Sequence, residues 1–600
     1  MNKIEITQGS KLSTKLTSVD TLYELSGIFD LDGEVIEIPS GCVLKFTEGS
    51  KITNGTLSLN NTIFEGAKHS IAALMSGTQY ELDTDDFDLT GSNKVTIMQS
   101  IVSTATSIQL HGRLENVFNN ITINKVTSFI GNGSLIVNST STNRALNITT
   151  DDFVRINDLD FEISSGCAIY KEAIPTNDAK LSFIICNCKF KLTSYNTVSF
   201  IKLKNSREGN IINCFFTGNA NKINNIEYRY GIGIERIDAV NTNIIGCMFS
   251  YLDYGIKATA EHITPSSEHP GDIATEVYSK YACGLSVQSA VIISCRYGVF
   301  MEGNDSFFLQ NSMVDFCLYP LVLLSQDGAN ITNNYFATSI AIFNGGSLTY
   351  NATITIRNNT SSITNPWPEY SQLTDDQKAV LRENNRCQRI IIANNTIYGH
   401  RSSNNNGIDM AAKSKDCTIQ GNTLDSFTDH GIYMRNASAE STWTTEKLRI
   451  DNNRFYFKGP NQDGIGGYTG DQTISITNNY AKEGSTTKLI NVGSPYYGNY
   501  VYSGNHDYLS AVPSGNEGSK IYWASLRNCT RMKIGLTMAA NQNTLTISNP
   551  MNGDTNLTVY VANNRYPICV YSVSSTQIVF TKTTSEAVSF TAIIEHFLNM

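Results

Sequence analysis

Acidic, histidine and tyrosine side chains that could act on a sugar recur in one repeated stretch of the 600-residue chain. Segments 407–410 and 431–434 both read Gly-Ile-x-Met, and a shorter version begins at Gly464. In a β-strand, the x residue points away from its apolar neighbours, so Asp409 and Tyr433 are expected on the outer face. If the three segments stack in register, their polar side chains form one patch.

The predicted patch contains a catalytic set of four side chains. They are Asp409, Asp429, His430 and Asp463. Two carboxylates about one rung apart suit glycoside hydrolysis with retention of configuration, and a two-rung gap suits inversion. The histidine could orient a reacting group or relay a proton. The alternative interpretation is that these polar residues lie on a solvent-exposed sheet face and have no catalytic role.

A glycan-binding set is expected beside the carboxylates. It comprises Tyr433, Arg435, Trp367, Trp443 and Tyr468. Tyrosine and tryptophan rings have flat apolar faces and polar edges, which suit sugar stacking and subunit interfaces alike. Packing between subunits therefore stays open as a second interpretation of the aromatic residues.

An asparagine repeat indicates how these strands are positioned. Six segments carry an apolar residue and then an asparagine three positions later: Asn334, Asn359, Asn395, Asn422, Asn453 and Asn479. Their spacing of about 25–36 residues indicates stacked coils. Stacked asparagine amides can hydrogen-bond from coil to coil. Upstream, the same frame carries four cysteines that we interpret as buried structural thiols: Cys188, Cys214, Cys247 and Cys295.

The order of these elements predicts an all-β chain with three parts. Short, β-branched strands separated by glycines predict a parallel β-helix over residues 31–515. Longer strands over residues 516–600 predict a β-rich C-terminal module that covers the last coil and holds an oligomer together. Residues 1–30 are too few for an independent domain and are expected to form an attachment segment. A capping box that begins at Thr374 predicts a small helical insertion near 374–385.

Composition excludes several classes of protein. The net charge is −9 and charged residues make up 16%, so general nucleic-acid binding is not expected. Membrane insertion is not expected either, because no run of about 18 apolar residues is present. The 13 cysteines show no paired CxxC spacing, which argues against a zinc site and a disulfide framework. No metal or cofactor is predicted, and calcium on the carboxylates stays open.

The asparagine and cysteine positions, together with the Gly-Ile-x-Met strands, resemble right-handed parallel β-helix proteins of the pectate-lyase-like superfamily over residues 30–510. The opening coils, from Ile38 to Leu57, are similar to tail proteins from phages of gut Bacteroidetes, including crAss-like phages. A β-helix followed by a short β-rich module resembles tailspikes, which are homotrimers. The resemblance implies a phage tailspike or tail-fibre protein that recognises a host surface polysaccharide.

The resemblance also implies where the protein acts. A tailspike is a virion component made in the host cytoplasm, and the opening residues show no signal peptide. Residues 1–30 would then dock to other tail proteins. The superfamily includes lyases, hydrolases and non-enzymatic adhesins, and no clear copy of the pectate-lyase or polygalacturonase motifs is present. A depolymerase that acts as a hydrolase or a lyase, and a bacterial secreted or surface polysaccharide lyase or hydrolase, therefore stay open beside a pure binder.

Overall fold

The computed structural model describes most of the chain up to residue 338 and shorter segments beyond it. The described residues are 2–138, 144–172, 181–223, 226–260, 282–338, 352–357, 387–399, 406–410, 414–434, 446–456, 462–467, 473–481, 489–492, 499–503, 522–524, 529–548, 557–562, 568–574 and 576–597. Strands account for 64% of the structure and helices for 4%, and long parallel sheets dominate. These sheets confirm the predicted all-β parallel β-helix. Among the described residues, unit 1 comprises those up to Val322 together with Thr338, and unit 2 comprises Leu323–Ala337 and those from residue 352 onward.

Unit 1 contains strands of three parallel sheets, a hairpin and short helices. The N-terminal sheet consists of Asn2–Thr7, Thr21–Ser26, Val43–Phe46 and Ile63–Gly66. Sheet A consists of Ile28–Asp30, Val35–Glu37, Lys51–Asn60, Ile71–Asp83, Ala105–Gln109, Arg113–Glu115, Thr127–Asn138, Val154–Ile163, Phe183–Cys186, Lys189–Leu192, Gly209–Ile212, Phe215–Thr217, Val240–Ile245, Met248–Ser250, Cys283–Gln288, Val291–Ile293, Asp305–Gln310 and Met313–Cys317. Sheet B consists of Ile121–Ile123, Arg144–Ile148, Cys167–Glu172, Ser199–Lys204, Ile232–Ile237, Tyr254–Thr259, Tyr297–Glu302 and Tyr319–Leu324. The hairpin is Asn219–Ile223 with Ile226–Tyr230, and the helices are Leu12–Lys15, Thr84–Asp86 and Lys94–Thr104.

Unit 2 has the same two kinds of ladder, followed by antiparallel strands. Its sheet A strands are Asp327–Thr332, Tyr335–Thr338, Gln388–Ala393, Thr396–Tyr398, Lys415–Gln420, Thr423–Asp425, Glu446–Asp451, Arg454–Tyr456, Thr473–Thr477, Tyr480–Ala481 and Asn499–Ser503. Its sheet B strands are Ala352–Arg357, Asn406–Met410, His430–Met434, Asp463–Gly467 and Ile490–Val492. The antiparallel strands are Tyr522–Ala524, Cys529–Met538, Leu557–Ala562 and Val588–Phe597 in one sheet, and Thr544–Ser548, Ile568–Val573 and Gln577–Lys582 in the other.

Stacked aromatic rings fill one core position of unit 1. Phe161, Phe190, Phe216 and Phe249 lie in successive coils and are buried. Their ring centres are 4.7–4.9 Å apart, and neighbouring planes are within 5° of parallel. This distance matches the spacing of paired strands, so the rings repeat with the backbone. Interior packing thus reinforces the coil register.

The predicted asparagine column is present in unit 2. Asn334, Asn395, Asn422, Asn453 and Asn479 are buried in successive coils. In each neighbouring pair, the backbone N–H and side-chain Nδ2 of one asparagine donate to Oδ1 of the next at 2.9–3.0 Å. The amides therefore satisfy backbone donors at a buried bend. This confirms the predicted hydrogen bonding from coil to coil.

One asparagine of the predicted repeat does not belong to this column. In the column, the neighbour of Asn334 is Asn395, which comes 61 residues later in the chain. Ile356, the apolar residue of the segment that contains Asn359, pairs with Met410 in sheet B. The alignment of that segment with the column is therefore wrong, and Asn359 itself lies outside the described residues. The same apolar residue can begin such a segment in sheet A or in sheet B, so the spacing does not identify the strand to which the segment belongs.

The cysteine positions of unit 1 are confirmed in three of four cases. Cys188, Cys214 and Cys247 are buried at one bend, each with its carbonyl bonded to the first N–H of the next coil's strand. Ala290 follows them at this bend, because Met248 pairs with Val291. Cys295 is also buried but follows strand Val291–Ile293, at the next bend. Its assignment to the same position is therefore wrong, for the reason given for Asn359.

A helix that the sequence analysis did not predict, Lys94–Thr104, covers the first strand of sheet B in unit 1. Ile97 and Ile101 on this helix are buried. The Gln99 side chain donates to the carbonyl of Thr122 at 3.0 Å and accepts from its N–H at 2.8 Å. The amide thus supplies the donor and the acceptor that a neighbouring strand would provide. Such cover blocks pairing of the sheet edge with another chain.

The chain ends contribute different kinds of sheet. Strands Asn2–Thr7 and Thr21–Ser26 pair in parallel with each other, and the second also pairs with Val43–Phe46. Residues before 30 thus already belong to the N-terminal sheet. The C-terminal antiparallel strands enclose an apolar cluster that includes Phe580 and Phe590. The predicted boundaries at residues 30 and 515 and the role of the C-terminal module stay predictions.

The predicted helical insertion near 374–385 lies outside the described residues. Within the described part of the chain, no helix is long and apolar enough to cross a membrane.

Candidate functional site

Sheet B of unit 2 aligns the polar positions that the Gly-Ile-x-Met pattern predicts. Asp409 pairs with Tyr433, and Tyr433 pairs with Gly466, in successive parallel strands. Ile408 and Ile432 pair in the same strands and are buried in the core. Because side chains alternate along a strand, the residues that follow these isoleucines face outward. The sequence-based register is therefore correct.

His430 lies at the centre of the polar side chains on this face. Its Nδ1 is 2.9 Å from a carboxylate oxygen of Asp429 and 3.2 Å from Oδ1 of Asn406. Its Nε2 is 3.6 Å from a carboxylate oxygen of Asp463, and its ring centre is 4.7 Å from that of Tyr433. Nδ1 is within hydrogen-bonding distance of two oxygen atoms, whereas Nε2 lies at ion-pair distance from Asp463. We call Asn406, Asp429, His430, Tyr433 and Asp463 the His430 patch.

The His430 patch is only partly covered. The His430 and Asp463 side chains are each 15% exposed, and that of Asp429 is 42% exposed. A group at the surface can therefore reach the imidazole and both carboxylates. Three of the four predicted catalytic residues are brought together here, with predicted glycan-binding Tyr433.

Gly466 provides the space that the imidazole occupies. A Cβ at this position would lie 2.0 Å from Cδ2 and 2.5 Å from Nε2 of His430. Both distances are far below any van der Waals contact, so a side chain here would displace the ring. The sequence analysis did not assign Gly466 a function. The sequence nevertheless marks this position, because a glycine replaces the outward-facing residue in the third copy of the strand pattern.

Asp409 lies in the predicted column but is not open to solvent. Its side chain is fully buried and accepts a hydrogen bond from Nη2 of Arg357 at 2.9 Å. Arg357 ends the preceding sheet B strand, and Thr355 of that strand pairs with Asp409. The carboxylate is therefore buried in an ion pair with a guanidinium that is itself 23% exposed, which makes it unsuited to contact a sugar. Sequence spacing could not reveal this partner, because it is 52 residues away.

Replacing Asp409 with asparagine is expected to lower stability and leave ligand binding unchanged. The substitution removes the charge that Arg357 pairs with; loss of one partner of a fully buried pair costs about 3 kcal/mol, and the 23% exposure of Arg357 makes a loss of about 1–2 kcal/mol the expected one. A calorimetric melt should show a lower Tm for Asp409→Asn, and Asp409→Asn/Arg357→Met should recover part of the loss. Unchanged Tm with lost binding would instead make Asp409 a ligand-contacting residue.

Four predicted glycan-binding residues lie outside the described residues. They are Arg435, Trp367, Trp443 and Tyr468. Their roles stay predictions.

One group among the described residues has atoms close enough to hold a metal ion. Asp83, Asp85 and His111 in unit 1 offer ligand atoms within 4.8 Å of one another. The Lys68 ammonium lies 3.9 Å from Asp83 and 3.3 Å from Asp86. A lysine charge therefore already lies beside this acidic group.

Comparison with known proteins finds similar structures only. No protein-family model matches the sequence, and no curated protein matches it. Tailspike protein 3 of bacteriophage CBA120 aligns with 13% identity and a TM-score of 0.40, over 72% of this chain and 63% of that chain. The chain thus spans less than two thirds of that tailspike.

Two further structures align over larger shares of their own chains. A tailspike protein of E. coli bacteriophage HK620, in complex with a pentasaccharide, has 12% identity and a TM-score of 0.36 over 94% and 87% of the two chains. The A-module of a mannuronan C-5 epimerase from Azotobacter vinelandii has 12% identity and a TM-score of 0.28 over 78% and 91%. The likeness is one of fold.

Proposed function

We propose that the protein is a phage tailspike that binds a host surface polysaccharide at the His430 patch. The observation that carries this proposal is the setting of His430, whose imidazole lies between two carboxylates and against a tyrosine ring. Sugar hydroxyls donate and accept hydrogen bonds, so carboxylate, amide and imidazole groups suit them, and an aromatic ring suits the apolar face of a sugar. The imidazole, both carboxylates and the tyrosine ring are partly open to solvent, whereas the Asn406 amide is buried.

The tail assignment is supported by the resemblance of the opening coils to phage tail proteins. With it we propose docking to other tail proteins through residues 1–30, a virion location and a homotrimer. A closed ring of identical subunits is a common assembly. Three copies of one patch would bind a repetitive polysaccharide with higher avidity than one.

The test of this function measures binding to surface polysaccharides from candidate host bacteria. Asp429→Asn/Asp463→Asn is expected to bind at least about tenfold more weakly than the wild type, since charged acceptors contribute about 1.5–3 kcal/mol per hydrogen bond. The matched control is Asp416→Asn/Asp425→Asn, which removes the same charge from sheet A in the same unit. Equal binding by the wild type and the patch variant would contradict the proposed site.

Depolymerisation is the second candidate function, favoured by the two carboxylates beside one imidazole. One of them could act as an acid or a base on a glycosidic bond, with His430 orienting it. Product size, reducing ends and the absorbance of unsaturated sugars would be followed in the same samples. Shortened products that are lost in the patch variant indicate a depolymerase, and unsaturated products indicate a lyase. Binding without shortening indicates a receptor-binding protein.

A further inference from the structure

A second polar surface lies on the outer face of sheet B in unit 1. Tyr170, Lys202, Glu235, Lys257 and Phe300 pair in this order in five successive strands. The side chains on both sides of this column in the strands are mostly buried, so the column faces outward. Neighbouring members are one strand spacing apart, about 4.8 Å. The Cα atoms of the two lysines are therefore about 10 Å apart, and their ammonium groups converge on Glu235 between them.

Glu235 is a buried carboxylate that its neighbours keep ionised. It accepts a hydrogen bond from Ser199 Oγ at 2.7 Å and lies 3.0 Å from the Lys202 ammonium and 3.5 Å from that of Lys257. Burial by itself would raise the pKa of Glu235, but the Ser199 hydrogen bond and the lysine charges lower it below its ordinary value. Glu235 thereby fixes both ammonium groups in place.

The two lysines keep donors for another partner. Their side chains are 32% and 28% exposed, and each ammonium has three donors, of which Glu235 can engage only some. The outward positions of these strands carry four basic and three acidic groups, an excess of one positive charge: Arg144, Lys202, Lys204 and Lys257 against Glu172, Glu235 and Glu302. This local excess of positive charge contrasts with a chain whose net charge is −9. A local field of this sign attracts anions.

Aromatic rings border the ammonium groups. The Lys257 ammonium is 5.4 Å from the Tyr254 ring centre, and Tyr254 stacks on Tyr297 at 4.6 Å. Phe300 packs its ring nearly perpendicular to that of Tyr254 at 5.7 Å. At the other end, the Arg144 guanidinium lies 3.3 Å from the ring centre of Tyr170. Lys257 thus lies beside the partly exposed rings of Tyr254 and Phe300, which can contact the apolar face of a sugar, whereas Tyr170 is buried beneath Arg144.

We propose that this surface binds an acidic saccharide, with Lys202 and Lys257 binding its carboxylates while Glu235 holds the two ammonium groups in place. Fixed cations two strands apart suit a chain that carries carboxylates at intervals. This proposal names an acidic glycan as the ligand of the tailspike, and it therefore rests on the proposed function of polysaccharide binding. It concerns a different surface from the His430 patch, so either can fail alone.

The experiment uses the full chain and polygalacturonate oligosaccharides, with the same oligosaccharides after carboxyl reduction as the neutral probe. Calorimetry at low and high salt is expected to show binding of the acidic probe that weakens with salt, because ionic contacts are screened. Lys202→Met/Lys257→Met should bind at least about tenfold more weakly, since two charge-assisted contacts are lost. The matched control is Lys189→Met/Lys191→Met, which removes two lysines that are paired with Asp160 and Glu162 on sheet A.

A second variant guards against misfolding. Lys202→Met/Lys257→Met/Glu235→Gln leaves no buried charge unpaired, so it should melt near the wild type and still lose binding. The inference is overturned if this triple variant binds as the wild type does, if the sheet A control loses as much, or if the neutral probe binds equally well. His430→Ala should leave acidic-probe binding intact. If it removes that binding, the ligand occupies the His430 patch, and this inference fails while the proposed function stands.

Discussion

Replacing Asn422 with leucine is expected to lower the free energy of unfolding of unit 2 by about 4 kcal/mol, because buried donors and acceptors lose their partners. Asn422 lies in the middle of the asparagine column and has no exposed surface. Its Nδ2 donates to the Ile392 carbonyl and to Asn453 Oδ1, each at 2.9 Å. Its Oδ1 accepts from the backbone N–H and Nδ2 of Asn395 at 2.9 and 3.0 Å. Leucine removes all four bonds and offers no replacement.

The control for this prediction is a neighbouring asparagine that lies outside the column. Asn394 is exposed and has a positive φ of 55°, a conformation that glycine adopts easily. Asn394→Gly should therefore change stability little. Thermal and denaturant unfolding of both variants measure the difference. Equal Tm values for Asn422→Leu and Asn394→Gly would show that the column contributes no more than ordinary surface asparagines.

Gly466→Ala is expected to weaken polysaccharide binding by at least about tenfold through a single added methyl group, since it displaces a charge-assisted hydrogen-bonding side chain. The new Cβ would lie 2.0 Å from His430 Cδ2, so the imidazole must leave its position between Asp429 and Asp463. The backbone at Gly466 does not have a positive φ. Alanine is therefore excluded by the histidine ring, and not by the conformation of the chain.

A double-variant cycle tests whether Gly466 acts through His430. His430→Ala should lose about as much binding as Gly466→Ala, and the two substitutions together should lose no more than either alone, because residues in contact are not additive. Titration with the polysaccharide that the wild type binds gives the affinities. If the two losses of affinity multiply in the double variant, Gly466 contributes to binding by a route other than His430. If Gly466→Ala binds as the wild type does, the position of the His430 imidazole does not matter for binding.

These two predictions rest on patterns that the sequence reveals to different degrees. The asparagine column can be predicted from the sequence because each coil repeats the same spacing between an apolar residue and an asparagine. A buried amide must then hydrogen-bond to groups of the neighbouring coils. The outward column of Asp409, Tyr433 and Gly466 is readable for a similar reason, since the alternation of a strand fixes which residues share a face. Neither pattern shows how far a side chain is covered.

By itself, then, the sequence determined the all-β parallel β-helix, the buried amide stacking and the register of the strands around His430. Periodic spacing carries these features, because backbone pairing repeats with the coils. The tertiary structure alone decided that Asp409 is buried against Arg357 and that Gly466 makes room for an imidazole. It also decided that Ile356 lies in sheet B, which bend Cys295 belongs to, and that helix Lys94–Thr104 covers sheet B. These features depend on contacts between residues far apart in the chain, whose distances no local spacing encodes.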